Sequence, residues 1–428
     1  MAYVQLTEEL VLDYIKNLEP MQEKFSSFDN ISIKEVGDGN LNYVYIVTNI
    51  SKPEETIILK QAVPFLRVVG ESWPLDIERM EFEVMALRQQ YEFCPDLVPE
   101  IYYADTEMSL VIMQNLDKHT IIRGEMNLGK KFPKMPDHVS TFLAEMIFKS
   151  SDWGMAGKTE KWPHHDSAAK KEMVEKYINK DLCNLTENFI FSYPLYKSDT
   201  NSYTPGLTEE DLADIQEDNE LKVKAAMLRY KFMNNAEALL HGDLHTGSIM
   251  ANEEETYIID PEFAFYGPAG FDIGLLTGNM FLAYIAQAYR QVQLGNNPLE
   301  YRKWVLDAIK EIWEGFISKY DKLWQEKEAE DKYPMWDYEG GSEAFKMLRE
   351  AEVLRIFRDA IGFAGTVMIR RTLGLAKVSD IADIEDTVAR AVLDRLALRI
   401  GKQFILKADT FNSIQEVIAI ADGISPLV

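Results

Sequence analysis

HGDLHTGSIM at residues 241–250 and YIIDPEFAFYGPAGFDIG at 257–274 are the stretches whose reading decides the fold. Asp243 falls in a tight His-Gly-Asp turn, where a loop presents a single carboxylate. Asp260 and Glu262 follow the apolar strand Tyr257-Ile258-Ile259, where two acids reach a metal ion bound to a nucleotide. One carboxylate to orient a hydroxyl nucleophile and a separate acidic group to hold the metal is the division of labour of phosphoryl transfer, whose chemistry is mostly positioning and charge neutralisation. Asp243 and Asp260 stand 17 residues apart, enough for a hairpin that brings both carboxylates to one mouth. A lone strand-end aspartate is common; Asp260 and Glu262 together, after three apolar residues, point to a metal such as Mg2+. His241 and His245 invite a zinc reading by their spacing, but Gly242 interrupts any helical HExxH pattern, and their better use is to bond the loop backbone as neutral histidines.

Upstream, Ile31 to Val36 alternates apolar and polar residues, Gly37-Asp38-Gly39-Asn40 supplies turn chemistry, and Asn42 to Val47 resumes the extended pattern, which reads as a β-hairpin with a glycine tip. The strand Thr56-Ile57-Ile58-Leu59-Lys60 ends on a lysine. Residues 76–90 read as a helix with Met80, Val84 and Leu87 on one face. Lys60 contacts nucleotide phosphates only if a carboxylate of that helix holds it; Glu83 is the first choice, with Glu78 and Glu81 as rivals. Two more strands near Tyr102 and Leu110–Ile112 close a sheet of about five strands.

From Asn115 the pattern turns helical. Residues 139–150, 168–190 and 217–241 read as helices, 192–211 as a surface loop, and 386–404 as a helix burying Val388, Val392, Leu393, Leu396, Ile400 and Phe404. The fold class is α+β: a small antiparallel β-rich lobe over 1–113, a hinge at 114–117 and a larger α-helical lobe over 118–428.

At 428 residues the chain has room for about two or three domains. Its 46% hydrophobic and 27% charged residues are ordinary for a globular protein. A formal net charge of −25 argues against nucleic acid and anionic membrane as partners. The two cysteines, Cys94 and Cys183, have no metal-ligand spacing and fit a reducing, cytoplasmic setting. The N-terminal Thr7-Glu8-Glu9 before an apolar-periodic run reads as a helix start and not as a cationic leader. No apolar run approaches the ~20 residues that cross a bilayer.

These residues resemble the protein-kinase-like fold of small-molecule kinases, the group of aminoglycoside and choline phosphotransferases. More closely, KEVGDGNLNYVYIV at 34–47, GESWP at 70–74, the two strings around Asp243 and Asp260, and MIRR at 368–371 are similar to the 5-methylthioribose kinase family. The resemblance implies transfer of the γ-phosphate of ATP to the anomeric C1 hydroxyl of 5-methylthioribose, in methionine salvage, by an enzyme that is often a homodimer. It implies Asp243 as the catalytic aspartate and Asp260-Pro261-Glu262 as the metal-binding DxE. Gly39, Asn40 and Lys60 would meet the nucleotide phosphates, and Gln114, Asn115 and Leu116 the adenine. Trp73 and the pair Arg370-Arg371 would lie at the sugar and the transferred phosphate. Ser248 stands where many relatives carry a second metal ligand, an asparagine, and a serine oxygen binds more weakly, which leaves one or two metals open. Adjacent helix residues project about 100° apart, so one of the two arginines is expected to point fully inward. A kinase of another small alcohol and a nucleotide-binding pseudokinase remain the competing readings.

Overall fold

The computed structural model describes residues 3–36, 41–67, 70–155, 168–330 and 336–425. The turn expected at 37–40, with the expected phosphate contacts Gly39 and Asn40, lies outside the described residues. The chain divides into two compact units. Unit 1 comprises Met1–Lys118, Asn179–Leu182 and Tyr257–Ala264; unit 2 comprises His119–Ile178, Cys183–Thr256 and Phe265–Val428.

Unit 1 runs α1 (Glu8–Ile15), α2 (Glu19–Lys24), β1 (Ile31–Glu35), β2 (Asn42–Asn49), β3 (Lys52–Ala62), α3 (Arg79–Phe93), β4 (Ile101–Asp105) and β5 (Leu110–Gln114). The strands form one antiparallel sheet in the order β1-β2-β3-β5-β4. Side chains alternate between the two faces of a strand, and β3 uses both. Ile57 and Leu59 pack with Val11, Ile15 and Met21 of the first two helices. Ile58 and Ala62 pack with Met80, Val84 and Leu87 of α3. Lys60 shares the parity of Ile58 and Ala62, so the strand itself aims the ammonium at α3.

The chain continues through β6 (Thr120–Ile121), α4 (Ile122–Asn127), α5 (Met135–Ser150), α6 (Asp152–Met155), α7 (Ala168–Lys176), α8 (Lys180–Phe191), α9 (Glu209–Gln216) and α10 (Asn219–Asn234). Four short strands follow, β7 (Ala238–Leu240), β8 (Ile249–Ala251), β9 (Thr256–Ile258) and β10 (Phe265–Gly267). The remainder is α11 (Gly270–Gln293), α12 (Pro298–Glu330), α13 (Gly341–Leu373), α14 (Ser379–Ala382), α15 (Thr387–Lys407) and α16 (Ile414–Ile424). Among the described residues no helix is long and apolar enough to cross a membrane.

The centre of unit 2 is the packing of α11 on α13, made close by glycines one turn apart. A Cβ on Gly270, Gly274 or Gly278 would lie 2.6, 2.5 or 2.7 Å from the main-chain oxygens of Ile356, Ala360 and Ala364. Only hydrogen fits there. Phe271 of α11 extends the contact edge-on to Phe363 of α13, with ring centres 5.2 Å apart.

Three expectations are corrected. Residues 168–190 form two helices, α7 and α8; Asn179 at the break spends its side-chain amide on the main-chain oxygens of Glu262 (2.9 Å) and Ala264 (3.3 Å). The expected helix 217–241 ends at Asn234, and its last residues form β7, paired antiparallel with β10; a short apolar run reads alike as helix or strand. On α15, Val388 and Val392 are 74% and 48% exposed. Leu393, Ile400 and Phe404 are buried as expected, and Ala391, Ala397 and Gly401 complete the buried face, because α15 meets α13 through small residues: a Cβ on Gly401 would lie 2.9 Å from Gly365 O.

Candidate active site

Unit 1 gathers two cations, Lys60 and Arg79, and three acids. Lys60 Nζ lies 2.9 Å from Glu83 Oε1 and also contacts Asp260 Oδ1. Of the three candidate partners at and before α3, the structure brings Glu83 to the lysine; Glu78 and Glu81 are exposed. Burial opposes the charge on Lys60, yet Asp260, Glu83 and Glu262 outweigh it and hold the ammonium protonated. Glu262 is oriented by Asn42, whose amide donates to it at 2.7 Å, and Asn42 in turn accepts from Arg79 at 2.8 Å. Burial, helped by the charges of Asp260 and Glu83 and opposed by Lys60, pushes Glu262 up to about 8. Asp260 sits at φ 70°, the left-handed region that costs a non-glycine residue energy and recurs at functional sites.

The ligand oxygens of Glu83, Asp260 and Glu262 lie within 4.8 Å of one another. Glu83 Oε2 is buried without a hydrogen-bond partner. Such a set of hard oxygen donors fits a magnesium ion.

Unit 2 carries the His-Gly-Asp loop. β7 delivers the chain to His241, and Gly242, at φ 85°, turns it. The buried Asp272 of α11 accepts from the main-chain N–H groups of His241 (2.7 Å) and Gly242 (3.0 Å), so the helix packed on α13 also clamps the loop. His245 Nδ1 accepts from Gly247 N at 3.0 Å, which leaves the proton on Nε2, 3.4 Å from Asp243 Oδ2. Burial depresses His245 to about 4 against the pull of Asp243, so the ring is neutral at pH 7. Ser248 Oγ is engaged with His245 N (2.8 Å), His245 O (2.9 Å) and Asp243 O (3.1 Å).

From the last turn of α13, Arg371 Nη2 and Arg370 Nη1 stand 3.6 and 4.0 Å from Asp243 Oδ1. Both arginines reach inward, where one was expected: the flexible side chains overcome the angle between adjacent helix positions. Burial would raise the Asp243 pKa, but His245, Arg371 and Arg370 more than offset it and hold the carboxyl well below the usual range.

The other expected residues are less closely tied to these groups. Trp73 is half-buried in the 70–74 loop, its main-chain oxygen accepting from Leu66 N at 2.9 Å. Gln114 ends β5, the Asn115 amide donates to Thr56 Oγ1 at 2.9 Å, and Leu116 and Pro261 are buried. Sequence reasoning missed Asn42, Arg79, Asn179, Arg123, Asp272 and Asp380. Only Asp272 had a local signal, standing in the GFDIG string right after the acids.

A family model described as a phosphotransferase enzyme family matches residues 182–304, which carry the loop and both acids. Fold and site define a phosphotransferase. Methylthioribose kinase 1 of Oryza sativa subsp. japonica is 38% identical over 417 residues, covering 96% of this chain and 94% of its own. Methylthioribose kinase of Escherichia coli O45:K1 is 36% identical over 420 residues, 97% of each chain. The chain belongs to the methylthioribose kinase family. Among solved structures, a choline kinase from Cryptosporidium parvum Iowa II aligns with 98% of both chains at 14% identity and a TM-score of 0.47.

Proposed function

We propose that the protein transfers the γ-phosphate of ATP to the anomeric C1 hydroxyl of 5-methylthioribose, giving 5-methylthioribose 1-phosphate and ADP in methionine salvage. The observation that carries the reading is the Asp243 carboxylate, kept ionised between neutral His245 and the two arginines. Asp243 accepts a hydrogen bond from the sugar hydroxyl and aims its oxygen at phosphorus. The new O–P bond forms as the bond from phosphorus to the β,γ-bridging oxygen breaks, ADP leaves with that electron pair, and the sugar proton passes to Asp243. A carboxylate of such low basicity takes the proton late, as suits a loose transition state in which positioning dominates. Arg370 and Arg371 supply positive charge for the transferred phosphoryl oxygens and the sugar.

Lys60, held by Glu83, contacts the nucleotide phosphates. Gly39 and Asn40 contribute from the segment before β2, and Gln114, Asn115 and Leu116 receive the adenine. Asp260 and Glu262 hold Mg2+, which when bound neutralises phosphate charge. The bonds made by Ser248 Oγ favour a loop tie over a metal ligand. Trp73 supplies an apolar surface for the thioether end of the sugar. A cationic alcohol such as choline is disfavoured, since paired guanidinium groups beside the base repel it. The homodimer rests on the family resemblance, the cytoplasm on the lack of metal-ligand spacing between Cys94 and Cys183 as well, and the absence of nucleic-acid or membrane partners on the charge of −25. The test is ATP consumption across methylthioribose, ribose, choline and kanamycin: turnover should be highest with methylthioribose, and a preference for choline or kanamycin would overturn the assignment.

A further inference from the structure

Unit 2 holds an ion pair between half-buried Arg123 and buried Asp380 behind the His-Gly-Asp loop, to which the assignment above gives no part. Arg123, on α4, bonds that loop twice and α11 once. Its main-chain N–H donates to Thr246 O at 3.1 Å, Nε to Thr246 Oγ1 at 3.0 Å, and Nη2 to Asn279 Oδ1 of α11 at 2.9 Å. A Cβ on Gly247 would lie 2.8 Å from Arg123 Nη1 and 2.9 Å from His245 Cε1, so the loop rests directly on the guanidinium.

Asp380 Oδ2 lies 3.2 Å from Arg123 Nε, and the aspartate is 1% exposed. Neither of its carboxylate oxygens has a hydrogen-bond partner. Buried carboxylates are rarely left this way; burial raises the Asp380 pKa, and the charges of Arg123, then Arg290 and Arg371, offset that rise in part. Its place is fixed from behind: Arg290 Nε donates to Asp380 O at 2.8 Å, and Asn127 to Ser379 Oγ at 3.2 Å. The charges therefore alternate in sign, with Arg370, Arg371 and Arg123 near Asp243, and Arg123, Arg290 and Arg371 near Asp380.

We propose that Asp380 is a positioning residue for phosphoryl transfer: it holds Arg123 against Thr246 and Gly247 and balances the charge of Arg371, which keeps Asp243 in register with His245 and the paired arginines. This rests on the reading of Asp243 as the base. Without the Asp380 charge, Arg371 faces Arg370 and Arg123 with Asp243 alone to offset them, and the loop loses the anion that seats its guanidinium.

The experiment is steady-state kinetics of Asp380→Asn, Arg123→Gln and the double variant in the full chain, with thermal melts. Each single variant should lower kcat about tenfold or more while KM for ATP stays within about twofold, since small misplacements of reacting groups are costly. The double variant should be no slower than the worse single one, because both act through one contact. Asp380→Glu should recover part of the rate. Wild-type kcat in either single variant, a KM for ATP that rises in step with the loss, or losses that multiply in the double variant would each overturn the proposal. If Asp380→Asn fails to fold, Arg123→Lys carries the test: it keeps the charge facing Asp380 but loses the fork to Thr246 and Asn279, so its kcat should fall, and a wild-type value overturns the proposal. Wild-type turnover of methylthioribose is a separate readout for the substrate, and the variant-to-wild-type ratios bear on Asp380 with whichever alcohol the enzyme turns over.

Discussion

Adding one methyl group at Gly274 should damage both stability and rate, although the residue touches no substrate. The new Cβ would sit 2.5 Å from Ala360 O and 2.6 Å from Phe363 Cβ. Ordinary carbon contacts need about 3.5 Å, and the obstacle is helix backbone that cannot rotate away, so α11 and α13 must part locally by about 1 Å. Overpacking of this kind costs about 1–3 kcal/mol. At about 2–4 °C per kcal/mol for a large domain, the melting temperature should fall by about 2–12 °C. The rate falls for a different reason. Asp272, half a turn before Gly274, clamps His241 and Gly242, while α13 carries Arg370 and Arg371, so parting the helices separates the loop from its arginines. A misplacement of about 1 Å costs about 100-fold; the arginines lie three turns beyond Ala360, and a fraction of that shift should lower kcat about tenfold. Gly423→Ala on α16 is the control, because nothing lies within 4 Å of its added Cβ. Melts and kinetics of Gly274→Ala decide the matter: a wild-type melting temperature with wild-type kcat would refute the close α11–α13 contact and its role in aligning the loop.

Asp243→Asn should lower kcat by about 10²–10⁴, the contribution of a positioned base, with Mg-ATP affinity by calorimetry unchanged; near-normal turnover would remove the catalytic assignment. Lys60→Met should raise KM for ATP more than KM for the sugar, and Glu83→Gln should follow it in direction where Glu78→Gln and Glu81→Gln do not; a matching loss in Glu78→Gln with none in Glu83→Gln would relocate the partner. His245 makes stability depend on pH. Its folded value of about 4 lies below an unfolded value of about 6.5, so the unfolded chain binds the extra proton between them. The stability it permits is full above about pH 6.5 and is lost as pH falls toward 4, by about 3 kcal/mol at about 1.4 kcal/mol per unit. Melts of His245→Gln across that window should show a shallower acid slope, and a slope identical to wild type would contradict a buried neutral ring.

The acids and the lysine were legible because each is announced by its neighbours in sequence. Three apolar residues before Asp260, a glycine turn before Asp243 and an alternating strand before Lys60 fix local geometry with no tertiary information. Even the choice of Glu83 was within reach: Met80, Glu83, Val84 and Leu87 fall at i, i+3, i+4 and i+7, one helical stripe, whereas Glu78 and Glu81 lie off it. The supporting groups carry no such sign. Asn179 holds Glu262 from 83 residues away, and an isolated asparagine between helices reads as punctuation. Arg123 and Asp380 are each an ordinary charge in the sequence until the fold brings them together. Arg370 and Arg371, at the end of a helix and before a glycine, carry every local mark of a solvated terminus. What removes them from water is the close packing of α13 between α11 and α15, which depends on glycines that a hydrophobic pattern counts as gaps. Sequence thus reveals the groups that act on the phosphate, because their chemistry demands particular residues at short spacing, and conceals the groups that hold them, because any buried partner at the right distance serves and only the folded chain sets that distance.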